Sequence, residues 1–213
     1  MTAAVERDGA GQQALISGDR AAAHLAFAEA AELYRQSWEE APPSAYGRLV
    51  GMLKSAVLAG RGVEEALYAR MKLAGADPTS VTAAYARALS SLILGEDQEA
   101  HDSAVGMAAG NEAFARAAKV IEALAAHDNA RYAAALTGIV RDFEARTEHL
   151  TGVAIADTAL VLATLASRRG MAATVERSNS NRVTAMKPSV RMMSLMVATI
   201  EPMANCHSKR IQT

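Results

Sequence analysis

Where the alanines fall restricts this chain more than any other feature. Apolar residues make up 51% of its 213 residues, yet aromatics only 4%. Alanine supplies much of the rest. It loses no side-chain entropy in a helix and lets helix axes approach closely. Few β-branched or aromatic side chains leave little from which to build a sheet. The expected fold class is therefore all-α, and the length suffices for one domain with a real core.

Helical spacing and stop signals divide the chain into nine expected helices. The first covers about 3–17 and is interrupted in propensity by Gly9 and Gly11. The second runs over 19–40, with Phe27, Ala30, Ala31, Tyr34 and Trp38 on one face, and Pro42 and Pro43 end it. The third covers 44–59 and the fourth 63–73. Asp77 followed by Pro78 predicts the start of a fifth that ends at Leu94. The sixth covers 97–108. Asn111 caps a seventh, Asp128 opens an eighth, and a ninth spans 152–167. The connections are short, which makes neighbouring helices antiparallel.

The stretch LILGEDQEAHDSAV, residues 92–105, shows what a connection looks like. A glycine closes one helix, acids follow, and Ala100 stands five positions after Gly95. The corners SGDRAAA, AGRGVEEA and, without a glycine, AHDNARYA can be laid over it. Gly18, Arg61, Gly95 and His127 recur at intervals of 43, 34 and 32 residues. Intervals near 34 indicate stacked helix-turn-helix units. Gly18, Ala23, Phe27 and Ala30, with Pro78 closing the second unit, resemble the tetratricopeptide repeat over about 12–147. At Ala104 that pattern usually has an aromatic. The architecture expected is stacked antiparallel helical hairpins, either a TPR-like α-solenoid or an irregular α-bundle.

Residues 1–175 read as a single helical-hairpin domain. From Glu176 to Thr213 the composition changes: five of the ten methionines lie there, with six basic residues against two acids and no aromatic. Met192, Met193, Leu195, Met196, Val197 and Ile200 could make one short apolar helix for a partner or a membrane surface. The other reading of this tail is a poorly ordered extension.

Bulk properties exclude several classes of function. A net charge of −1 creates no field for nucleic acid. The longest apolar stretch, GVAIADTALVLATLA, is too short to span a membrane and contains Asp157. Its acid stands for a partner or acid-base role, or for a carboxylate at a helix start facing the dipole or Arg146. The N-terminus lacks a signal-peptide core, and the lone Cys206 cannot form an internal disulfide. Both point to the cytoplasm.

Chemistry is not announced by any motif. HExxH, phosphate-cradling glycine loops, GxSxG and CxxC are all lacking. His101 with Glu99 and Asp102 is the nearest approach to a metal cluster, but neighbours one and two apart on a helix diverge. No cofactor and no catalysis are expected. The resemblance to tetratricopeptide arrays implies a concave face lined by the first helix of each hairpin, where peptides bind. Carried over by position, the binding residues are Arg48, Ser55, Thr82 and Tyr85. Arg48 suits a carboxylate and Tyr85 a backbone or apolar anchor. A second resemblance covers HDNARYAAALTGIVRDFEARTEHLTG and the apolar helix after it, which look like the closing segment of helical immunity proteins of bacterial toxin systems. The expected function is protein or peptide binding; a toxin-neutralising protein and an enzyme on a helical scaffold are the alternatives. The ninth helix is apolar on nearly every side, so self-association through it is a further expectation.

Overall fold

A computed structural model describes residues 1–147, 151–153 and 155–171. The basic tail read over 176–213 lies outside the described residues. Among the described residues there are nine α-helices and no strand. They are α1 (Thr2–Ile16), α2 (Arg20–Glu39), α3 (Gly47–Leu58), α4 (Val63–Leu73), α5 (Val81–Leu94), α6 (Asp97–Met107), α7 (Glu112–Ala125), α8 (Asn129–Glu144) and α9 (Asp157–Arg168). None of them is long and apolar enough to cross a membrane.

The corners make these boundaries. Asp19, Asn111 and Asp128 each turn a side-chain oxygen onto a free N–H of the following helix, at 2.9 to 3.2 Å. Gly18, Gly60 and Gly95 end their helices with φ near +80°. At the fourth corner His127 itself takes the left-handed conformation, with φ 51°. The corner keeps its geometry without the residue that adopts it cheaply.

Three expected boundaries shift. The fifth helix begins at Val81 rather than at Pro78. The Asp77 carboxylate accepts from the Thr79 N–H at 2.8 Å, a tight turn that spends the acid, and Ser80 becomes the cap. Residues 44–46 form a turn before α3. The ninth helix starts at Asp157, five residues later than its apolar pattern suggested. Gly9 and Gly11 do not break α1. They are buried, and a Cβ on Gly11 would lie 2.8 Å from the Phe27 ring. Gly11 thus lets α1 lie close to α2, and Gly9 lets it lie close to Thr151 of the connection to α9.

Each helix packs on the next in sequence, and α3, α5 and α7 also pack side by side as a row. The helix α9 then lies against α3, α7 and α8. The connection leading to it crosses α1, where the Thr151 hydroxyl donates to Gln12 Oε1 at 2.6 Å. Ala159, Leu160, Val161, Leu162, Ala163, Leu165 and Ala166 are all buried. The all-round apolar character of α9 is thus met by its own chain. At its end, Arg168 donates to the Val57 and Arg61 carbonyls, and Arg169 to the Leu92 carbonyl and Asp97. Those carbonyls stand at or beside the C-terminal ends of α3 and α5, where helices leave acceptors free and favour cations.

Candidate functional site

The core is rich in alanine and leucine, and a charged cluster interrupts it where α1, α3, α5 and α9 meet. Lys54 is one of two charges in the otherwise apolar α3, the other being Arg48 in its first turn. Its ammonium donates to the Asp157 carboxylate and, at 3.1 Å, to the Thr158 hydroxyl. Asp157 is the first residue of α9 and also accepts from the Thr158 N–H at 2.6 Å. Burial by itself would pull the Lys54 pKa down, but the Asp157 carboxylate holds it above the ordinary lysine value. Burial likewise works against an ionised Asp157, and Lys54 outweighs it, so that acid titrates below its usual range.

A second acid, Asp8 of α1, faces the same pair. Burial raises its pKa to about 6, and the nearby charge of Asp157 adds to this; Lys54 and the Ser55 hydroxyl, donating at 3.3 Å, oppose it. Burial and the Asp8 charge push Tyr34 up to about 12. Tyr85 is raised too, by burial, and its hydroxyl ends beside Thr158 with no hydrogen-bond partner at bonding geometry. Chemically the cluster holds Lys54 charged and Asp157 ionised, so neither is a free nucleophile or base. Asp8 is the group in it poised to exchange a proton near neutrality.

A shallow cleft of about 60 Å³ opens beside the cluster, between α7, α8 and the start of α9, with Arg116, Asp142, Arg146, Asp157 and Thr158 on its walls. Arg116 pairs with Glu112 at 3.1 Å and with Asp142 at 2.6 Å, and Arg146 pairs with Asp142 at 2.6 Å. The two guanidiniums outweigh a slight burial and lower the Asp142 pKa. Of the two partners foreseen for Asp157, the helix start is correct. Arg146 is not its partner: Asp142 takes that arginine and Lys54 takes the acid.

The four residues expected to line an open groove go to different places. Ser55 and Tyr85 do converge, on the polar cluster, but they are 1% and 7% exposed. The Arg48 guanidinium donates to the Ser37 carbonyl near the end of α2 and fastens α3 to it. Thr82 is half-buried in the first turn of α5. Ser55 and Tyr85 thus face the interior, with α9 packed against the helix that carries Ser55. Lys54 and Asp8 were missed. Lys54 had a signal, since it and Asp157 are opposite charges in largely apolar helices. Asp8 had none, lying in a polar N-terminal run.

Apolar surface is left elsewhere. Val63, Leu67 and Met71 recur every four residues along α4 and are 55%, 55% and 63% exposed. Leu25 on α2 and Val105 on α6 are exposed as well. Among the described residues no group of three His, Cys, Asp or Glu side chains is placed to hold a metal ion.

The fold and site define an all-α stack of hairpins with a ninth helix laid against the α3–α5–α7 row. No family model matches the chain, and no curated protein or solved structure matches it either.

Proposed function

We propose that the protein is a non-catalytic, protein-binding helical module of the cytoplasm, built from TPR-like hairpins and presenting its outer helices to a partner. The row Val63, Leu67 and Met71 carries this reading. Spacing of four keeps three large apolar side chains on one face of α4 (Val63–Leu73), and nothing in the described chain covers them. The partner contributes an apolar stripe of its own, most simply one face of a helix. The concave face is not the docking surface in this reading, because α9 lies there.

Capture from native cytosol tests it. The wild-type chain should retain a defined partner, and Leu67→Glu with Met71→Glu should lose it with unchanged helix content by circular dichroism. Equal retention by both, or none by either, overturns the reading.

A further inference from the structure

The central helix α5 is buried on almost every side by alanine, leucine and tyrosine, yet it carries two adjacent serines, Ser90 and Ser91, at 0% and 1% exposure. Alanine would pack there without the cost of burying a hydroxyl. Both serines line a cavity of about 200 Å³ between α4, α5 and α6, together with Arg70, Leu73, Arg87 and Glu99. The Ser90 hydroxyl donates to the Arg87 carbonyl at 2.8 Å, which leaves its lone pairs to accept.

The charges on the two walls are unequal partners. On the α5 wall, Arg87 donates to the Leu73 and Ala76 carbonyls at 3.3 Å each and pairs with no carboxylate among the described residues. On the α6 wall, Glu99 has no ion pair or hydrogen bond of its side chain among the described residues. Arg70 is taken by Glu96, whose second carboxylate oxygen is buried without a donor. One wall therefore offers a cation that lacks an anion, and the other an anion that lacks a cation.

We propose that this cavity binds a small zwitterion, namely a free α-amino acid. Its carboxylate meets the Arg87 guanidinium and the Ser91 hydroxyl, and its ammonium meets Glu99. A simple anion would leave Glu99 unanswered, and a simple amine would leave Arg87 so. A volume of about 200 Å³ suits a ligand the size of a single amino acid.

The test is an amide-shift titration of the ¹⁵N-labelled full chain with glycine, L-alanine and L-leucine, with propionate and ethylamine as half-ligands. At least one amino acid should give saturable shifts at Ser90, Ser91 and Glu99, and each half-ligand should bind at least about tenfold more weakly. Glu99→Gln, at an exposed position, should reduce amino-acid binding to the level of propionate. Ser91→Leu should fill the cavity and abolish binding with the helix content retained; where it unfolds the chain, the Glu99→Gln result decides. No saturable shift, propionate binding as tightly as the amino acids, or no effect of Glu99→Gln overturns the proposal.

Discussion

Lys54 on α3 and Asp157 at the head of α9 form an ion pair across 103 positions of sequence. The pair joins the last described helix to the middle of the stack, in a setting where neither charge has another counter-ion within hydrogen-bond reach. Removing one partner leaves the other charge poorly solvated. Lys54→Met should destabilise the fold by about 2 to 4 kcal/mol, less than the ~3–5 kcal/mol typical of fully buried pairs because Asp157 keeps about a third of its exposure. Replacing both, as Lys54→Met with Asp157→Leu, should recover most of that loss. Urea unfolding of the two variants against wild type measures it, and equal losses would show that the pair does not couple.

Asp8 makes stability depend on pH in the unusual direction for an acid. Its pKa in the fold, about 6, lies above the ordinary 3.8, so the fold prefers the protonated form. The resulting penalty is absent below about pH 4, grows as pH rises towards 6, and is fully present above that. Asp157 runs the other way: its pKa is lowered, so its contribution is present above pH 3.8 and is lost as pH falls through its folded value. Asp8→Asn should therefore stabilise the chain at pH 7 by about 1 to 3 kcal/mol and have little effect at pH 4. Melting temperatures across pH 4 to 8 provide the readout.

The corner at His127 holds a side chain in the left-handed region where the matching corners use glycine. His127→Gly should gain about 0.5 to 1 kcal/mol by removing that strain, less what its contact with Asp97 at 2.8 Å contributes. Gly95→Ala is the converse, since a Cβ there meets nothing within 4 Å and only the backbone suffers. It should cost about 1 to 2 kcal/mol. Thermal unfolding of both variants separates backbone strain from packing.

Gly11 is a case of packing alone. An added Cβ would press on the Phe27 ring at 2.8 Å, and Phe27 is fully buried, so the ring has nowhere to move. Gly11→Ala should cost about 1 to 3 kcal/mol despite alanine's better helix propensity, as chemical denaturation will show.

Local chemistry sufficed for the helices themselves. Alanine-rich periodic runs and side-chain caps such as Asn111 and Asp128 act over four residues, so they can be read without knowing what lies across the core. The same local rules located the corners, including the one where His127 replaces a glycine. They misplaced the starts of α5 and α9, where Asp77 folds back on Thr79 and an apolar run before Asp157 is not helical. Which surface remains open was decided only in three dimensions. The resemblance to tetratricopeptide arrays implied a concave face for Ser55 and Tyr85, but whether they meet water depends on what packs over them, including α9, more than sixty residues further along. Asp8, Lys54 and Asp157 became one cluster for the same reason: burial and charge pairing depend on through-space distance, and linear order does not encode it.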